Sequence, residues 1–184
     1  AIAAIEAKAG LIAEVADRIW DYAELSLQEE RSAALYCEVL EKEGFTVEKG
    51  ICGIPTAFSA SFGSGRPMIG LLAEYDALSG LSQEGGSLER KELTPGGCGH
   101  GCGHNLLGAG AMAAALGVKA FLESTNTPGT VVLYGCPGEE GGAAKAFMAR
   151  DGLWYGLDAA LTWHPEDANE VRTGSSNSCI QTQY

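Results

Sequence analysis

The chain has 184 residues, of which 24 are acidic and 12 are basic, and its net charge is −12. An acidic surface repels nucleic-acid phosphates and anionic lipid headgroups, so no nucleic-acid or membrane partner is expected. The length suits one globular domain, and a hydrophobic fraction of 46% argues against a disordered chain.

Two segments bear on where the protein is located. Residues 1–10 carry Glu6 and Lys8 and lack the basic-then-apolar order of a signal peptide. The uncharged stretch 93–118 is continuously apolar only over residues 106–118, which is too short to cross a bilayer. We therefore expect a cytoplasmic protein that spans no membrane, and its six cysteines are expected to be thiols or metal ligands.

Apolar spacing divides the chain into helices and strands. From residue 68 onward, strands and helices alternate, and the crossovers are long enough to connect parallel strands. The expected fold is therefore α/β, a mostly parallel sheet flanked by helices. A loop over residues 79–103 is unusually long, as functional or disordered loops are. In chain order, the predicted elements are helices 2–24 and 29–43, strands 45–49, 56–62 and 68–73, helix 106–123, strand 130–135, helix 142–150 and strand 158–163.

All three histidines lie where a predicted strand ends or a predicted helix begins. His100 and His104 belong to the run GCGHGCGHN at residues 97–105, and His164 follows the last predicted strand. Thiolate and imidazole, as in Cys102 and His104, are ligands that Zn²⁺ favours, and the helix start helps to keep the thiolate ionised. A Cys-x-His pattern alone is weak, so a flexible glycine-rich loop is the alternative.

Pairs of carboxylates follow two other predicted strands. In the sequence PGEEGG, either Glu139 or Glu140 can ligate a metal while its neighbour acts as a general base. Taken alone, this acidic pair is better explained by its favourable place at a helix N-terminus. Glu74 and Asp76 close a buried strand, where they either orient metal ligands or form a solvated turn.

These segments converge on one edge of the predicted sheet. The carboxyl ends of parallel strands share an edge, and ligands bind there. Three of the segments follow different strands, and the fourth precedes the helix of the same crossover. Together they predict a metal site. Its candidate residues are Asp76, Cys102, His104, Glu139, Glu140 and His164.

The motifs EYDAL, GHGCGHNLLG, PGEEGG and TWHP resemble those of the dinuclear metallopeptidases related to aminoacylase. They are most similar to the amidohydrolases that include indoleacetyl-amino-acid hydrolases, and within these to the p-aminobenzoyl-glutamate hydrolase branch. Glu74 stands where other branches carry His, which fits the branch that uses a cysteine. The resemblance assigns a role to each candidate residue: metal ligands Cys102, His104, Glu140 and His164, general base Glu139, and Asp76 as the carboxylate that steadies a ligand.

The resemblance also implies an activity. Members hold two divalent ions, Zn²⁺ or Mn²⁺, and hydrolyse the amide bond of a small N-acyl amino acid or dipeptide-like substrate with a metal-bridged water. An aminobenzoyl-glutamate-like substrate is expected here. Members dimerise through an inserted smaller domain, so a homodimer is expected at full length. A further histidine ligand lies in their C-terminal part. Residues 1–184 are thus expected to be the N-terminal portion of the catalytic metal-binding domain, without the inserted domain and the C-terminal part, and inactive alone.

Two other interpretations stay open. In a structural zinc module, Cys98, His100, Cys102 and His104 would form one tetrahedral site, although ligands at alternate positions do not easily surround a single ion. In the other interpretation, the chain is an inactive fragment that requires a complementary chain. One zinc ion that needs Cys98 would support the module, whereas two ions independent of Cys98 would support the hydrolase.

Overall fold

A computed structural model describes residues 1–171 as a five-stranded sheet with helices packed against it. The predicted α/β class is confirmed, and each predicted helix and strand has a counterpart. The helices are α1 (Ile2–Glu6), α2 (Ala9–Tyr22), α3 (Glu30–Lys42), α4 (His104–Thr125) and α5 (Ala144–Arg150). The strands are β1 (Thr46–Lys49), β2 (Phe58–Ser64), β3 (Met68–Ala73), β4 (Gly129–Gly135) and β5 (Ala159–Leu161), and a short 3-10 turn spans Ile51–Gly53.

The predicted first helix is interrupted. A turn at Ala7 and Lys8 separates α1 from α2, and the Lys8 ammonium pairs with Glu43 at 2.6 Å. Because of this turn, Ile5 of α1 packs on Gly117 of α4, where a Cβ atom would lie only 2.7 Å from Ile5 Cδ1. The break thus accompanies a tertiary contact, which amphipathic spacing along one helix does not reveal.

The sheet has the strand order β1-β2-β4-β3-β5. Strands β4, β3 and β5 are parallel, as predicted, whereas β1 and β2 run antiparallel to their neighbours. Ala73 pairs with Gly135, so β3 and β4 end side by side. Leu161 of β5 pairs with Leu71 of β3. The three parallel strands therefore end at the same edge of the sheet.

Helix α4 lies in the core. Its 22 residues are long and apolar enough to cross a membrane, but half of them are buried in this fold, against α2, β3 and β4. A Cβ atom at Gly108 would lie 2.3 Å from Tyr36 Oη and 2.6 Å from the main-chain oxygen of Glu74. Glycine at this position lets the helix approach the end of β3 closely. The helix begins at His104, two residues before the predicted start.

Candidate metal centre

Acidic and imidazole groups come together at the edge where the parallel strands end. Each group is carried by a strand end, by the turn after a strand or by the first turn of α4. Glycine at position 103, with a φ of 70°, turns the chain into α4 so that its first residue faces the strand ends. The residues are Glu74 and Asp76 after β3, Glu139 and Glu140 after β4, His164 after β5, and His104 at the start of α4.

Glu74 lies at the centre of this group, with its side chain only 1% exposed. Its Oε2 atom is 3.0 Å from His104 Nε2 and 3.2 Å from His164 Nε2. Its Oε1 atom pairs with the ammonium of Lys145 in α5. Burial alone raises the pKa of Glu74, but His104 and Lys145 outweigh burial and hold the pKa below its ordinary value. The carboxylate is therefore ionised and has one oxygen facing two imidazoles.

Three buried atoms of this cluster form no hydrogen bond of regular geometry in the described part of the chain, although the first two face each other at 3.0 Å: Glu74 Oε2, His104 Nε2 and Glu140 Oε1. His104 Nε2 lies 4.0 Å from Glu140 Oε1 and 3.9 Å from Glu139 Oε2. Leaving a buried polar atom unpaired costs about 1–3 kcal/mol, so such atoms call for a ligand. Oxygen and nitrogen atoms in this arrangement suit a divalent transition metal.

The cluster contains two groups of residues that could each hold a metal ion. One consists of Glu74, His104 and His164, and the other of His104, Glu139 and Glu140. Within each group, one potential ligand atom per residue lies within 4.8 Å of the others. His104 belongs to both groups, and its ring centroid is 5.8 Å from that of His164. Only Nε2 of His104 is open to a metal ion, because Nδ1 faces Asp76, so His104 can serve one of the two groups at a time. The donor set therefore fits a divalent metal.

Asp76 supports both His104 and the turn of residues 138–142, which carries Glu139 and Glu140 and is here called the acidic turn. Its Oδ1 atom lies 3.0 Å from His104 Nδ1, and its main-chain oxygen lies 3.1 Å from the same nitrogen. Its Oδ2 atom accepts hydrogen bonds from Ser26 Oγ at 2.7 Å and from the Glu140 amide at 2.9 Å. Asp76 thus has the contacts expected of a carboxylate that steadies a ligand.

Cys102 lies beside the cluster, and its side chain contacts Glu140. The hydrogen bond to Glu140, together with burial, raises the pKa of the Cys102 thiol to about 11. The expectation that the helix start keeps this thiolate ionised is therefore wrong for the metal-free chain, because the neighbouring carboxylates favour the protonated thiol. Neither potential metal group found within residues 1–171 includes Cys102.

The alternative site built on Cys98 and His100 is not assembled in the described region. His100 is buried, and its Nε2 donates to the main-chain oxygen of Ile19 at 3.0 Å. Cys98 lines a separate cavity between α2 and the 79–103 loop. The two potential metal groups of the described chain include neither residue.

His164 is held in place by the residue before it. Trp163 Nε1 donates to the main-chain oxygen of Leu107 at 3.0 Å. The indole ring lies over Gly110 of α4, where a Cβ atom would be 2.5 Å from the ring. Strand β5 itself has three residues, all exposed. The contact with α4 therefore fixes the position of the imidazole more firmly than the strand does.

Sequence patterns did not predict the central position of Glu74 or the contact with Lys145. The signal for Glu74 was its alignment with a histidine of other branches, which marks a position close to a metal. Lys145 carried no signal, because a single lysine in a short helix is usually solvated. Its role depends on α5 packing beside the end of β3.

Comparison with known proteins identifies related sequences. The profile described as Peptidase family M20/M25/M40 matches residues 70–176. The chain is 55% identical over 163 residues to a p-aminobenzoyl-glutamate hydrolase subunit of Escherichia coli (strain K12), covering 89% of this chain and 34% of that protein. It is 32% identical over 163 residues to Xaa-Arg dipeptidase of Mus musculus, covering 82% of this chain and 34% of that protein.

Solved structures share the fold. A Bacillus subtilis protein described as a dinuclear metal binding peptidase from M20 family superposes with a TM-score of 0.66 at 24% identity, over 84% of this chain and 42% of that one. A second solved protein, from methicillin-resistant Staphylococcus aureus, has a TM-score of 0.68 at 24% identity, over 86% of this chain and 40% of its own. The chain spans about a third of the length of the curated relatives that it matches.

Proposed function

We propose that this chain, which belongs to the peptidase family M20/M25/M40, forms part of a metal-dependent amidohydrolase. The proposed reaction is hydrolysis of the amide bond of a small N-acyl amino acid, with an aminobenzoyl-glutamate-like compound as the substrate. The name of the 55% identical Escherichia coli relative supports this choice of substrate. The observation that carries the proposal is the set of buried, unpartnered atoms on Glu74, His104 and Glu140.

We propose that two divalent ions, Zn²⁺ or Mn²⁺, bind at this edge of the sheet. The solved Bacillus subtilis neighbour is described as a dinuclear metal binding peptidase, which supports the number of ions. Imidazole and thiolate ligands favour zinc, whereas carboxylates also suit manganese. The proposed ligands are Cys102, His104, Glu140 and His164. We add Glu74 to them, because its Oε2 atom lies close to the imidazoles of both His104 and His164.

Glu139 is the proposed general base. Bound divalent ions would supply Lewis acidity, which makes water more acidic and polarises an amide carbonyl. Glu139 is partly exposed, with 39% of its side chain accessible, and it precedes the proposed ligand Glu140. It accepts a proton from the attacking water and then delivers that proton to the leaving amine. Asp76 keeps His104 oriented, and Lys145 keeps Glu74 oriented.

We also propose that the full enzyme contains a second, different polypeptide chain. The Escherichia coli relative is named as one subunit of a hydrolase, which supports assembly with a different chain. A homodimer is the alternative that follows from the family resemblance. Separation of the purified protein by size, followed by identification of its chains, distinguishes the two assemblies. A cytoplasmic location stays a prediction.

The direct test uses the protein purified with the longest polypeptide encoded around this sequence, including any different chain that copurifies with it. After treatment with a chelator, it is assayed with p-aminobenzoyl-glutamate in the presence of Zn²⁺, Mn²⁺ or no added metal. The expected result is release of p-aminobenzoate and glutamate that depends on added metal. Cleavage that is unaffected by chelation, or no cleavage of this or any other N-acyl amino acid, contradicts the proposal. The same assay on residues 1–184 alone tests whether this part of the chain is an inactive fragment.

A further inference from the structure

The connection between α2 and α3 reaches the acidic turn from outside the metal cluster. We propose that Glu29, in this connection, is a positioning residue for Glu139 and Glu140, which it holds through the main chain of Gly138. This inference rests on the proposed metal site. The residues of this connection that contact the acidic turn lie within residues 24–29, here called the 24–29 segment.

Glu29 is a fully buried carboxylate with three donors. Its Oε1 atom accepts hydrogen bonds from the amides of Leu27 and Gly138, each at 2.8 Å. Its Oε2 atom accepts a hydrogen bond from Thr56 Oγ1 at 3.1 Å. A buried carboxylate is tolerated only when its oxygens are paired with hydrogen-bond donors, as they are here. The bond to Gly138 therefore fixes the start of the acidic turn.

Side-chain packing reinforces the same contact. Leu27 has a φ of 64°, a left-handed conformation that non-glycine residues rarely adopt. Glu29 stabilises this conformation by accepting the Leu27 amide. The leucine side chain then covers the turn, because Cβ atoms at Gly138 and Gly142 would lie 2.9 Å and 2.8 Å from its methyl groups. Larger residues at these two positions would push the turn away from the 24–29 segment.

The same segment also reaches the other end of the turn. Ser26 Oγ donates to Asp76 Oδ2 at 2.7 Å, and this oxygen also accepts the amide of Glu140 at 2.9 Å. Glu139 therefore lies between two anchored amides, those of Gly138 and Glu140. Its backbone is held on both sides while its side chain is free to reach the reacting water. This arrangement is what a general base requires, since proton transfer depends on close placement.

The test compares Glu29→Ala with Glu29→Gln and uses Glu24→Ala as the matched control. Gln keeps an oxygen that can accept both amides, so Glu29→Gln should restore what Glu29→Ala loses. Glu24 belongs to the same segment, but its carboxylate accepts hydrogen bonds from Arg31 and Ser32 at the start of α3. Its removal should lower the melting temperature without affecting the acidic turn.

Two measurements on the chain need no substrate. We expect Glu29→Ala to weaken binding of Zn²⁺ or Mn²⁺ by about ten- to a hundredfold, the range seen when supporting partners of metal ligands are removed. We also expect faster hydrogen exchange at the Gly138 amide in the metal-free chain. Glu29→Gln should stay close to the wild type in both. If Glu29→Ala does not fold, Thr56→Val removes only the bond to Oε2 and should give a smaller loss in the same direction.

A third measurement is made in the full-length enzyme, where Glu29→Ala should lower kcat more than it changes KM. Unchanged metal affinity and unchanged Gly138 exchange in Glu29→Ala, or an equal loss of metal affinity in Glu24→Ala, would overturn the inference. A Glu29→Gln variant that folds but binds metal as poorly as Glu29→Ala would also overturn it. If the wild type hydrolyses no N-acyl amino acid while Glu29→Ala still weakens metal binding, the proposed substrate fails and the positioning role stands.

Discussion

His104 and Asp76 make two contacts through a single ring nitrogen, because His104 Nδ1 lies 3.0 Å from the carboxylate and 3.1 Å from the main-chain oxygen of Asp76. Both partners are acceptors, so Nδ1 carries a proton. In the neutral ring, the lone pair is then on Nε2, which faces Glu74 and Glu140. The fold thus selects the tautomer that a metal ligand needs.

The metal-free chain should lose stability as the pH rises from about 6.5 to about 10. Burial lowers the pKa of His104, but the contacts with Asp76 and Glu74 outweigh it and raise the pKa to about 10. The unfolded value is about 6.5. Protonated His104 therefore stabilises the fold fully below the unfolded pKa, and this contribution is lost as the pH rises toward the folded pKa. Urea unfolding with a chelator present, at several pH values, measures the change.

Replacement of His104 by Gln provides the control for this pH dependence. The variant lacks the titrating ring, so its free energy of unfolding should change less over the same pH range. In the wild type, metal binding should release a proton and become tighter as the pH rises, because the ion replaces that proton. A stability profile that is the same in the wild type and in the variant would show that His104 is not the group responsible.

Glu139→Gln in the full-length enzyme should lower kcat by about 10²- to 10⁴-fold, the usual contribution of a general base. Metal content should stay close to that of the wild type, because Glu140 keeps its place through the bond from its amide to Asp76. Steady-state kinetics and elemental analysis give the two values. Glu123→Gln, at an exposed ion pair with Lys119 on α4, is the matched control. Near-normal turnover in Glu139→Gln would rule out this residue as the base.

Glu74→Gln should weaken metal binding by about ten- to a hundredfold. The substitution keeps the shape of the side chain but removes the charge that faces His104 and His164. Titration of the metal-free chain with Zn²⁺ measures the dissociation constant. Glu84→Gln, in the 79–103 loop, removes one carboxylate charge away from the cluster and should leave the constant unchanged. Equal affinity in the wild type and in Glu74→Gln would place Glu74 outside the metal shell.

Cys102→Ala and Cys98→Ala separate the hydrolase from the structural zinc module. We expect Cys102→Ala to lower metal content, because the thiol contacts Glu140 and becomes a thiolate when it binds a metal ion. Cys98→Ala should leave metal content unchanged, because Cys98 faces a separate cavity. Elemental analysis of both purified variants makes the comparison. A loss of one zinc ion in Cys98→Ala alone would favour the module.

The candidate site could be predicted from one rule of α/β folds. Because parallel strands end at a common edge, residues that follow three strands could be expected to meet, and Asp76, Glu139, Glu140 and His164 do so, with His104 at the helix start. The strand order was harder to predict from the sequence. Periodicity indicates a strand but not the direction of its neighbour, so the antiparallel pairing of β1 and β2 was not predicted.

Glu74 and Glu29 show why the remaining features were missed. Glu74 matters because of contacts with residues that lie 30 or more positions away in the sequence. Glu29 matters because of a hydrogen bond with Gly138, which lies 109 positions away. Within its own segment, Glu29 looks like an acidic residue at the start of a helix, which is a common and favourable placement. Only the packing of the 24–29 segment on the acidic turn distinguishes Glu29 from an ordinary acidic residue at a helix start.

The contact between Trp163 and Gly110 has an evolutionary consequence. A methyl group at position 110 would displace the indole ring, and the adjacent imidazole of His164 would move with it. A smaller side chain at position 163 would leave the imidazole without its support. The two positions are therefore coupled although they lie 53 positions apart, and homologous sequences that replace one should replace the other as well.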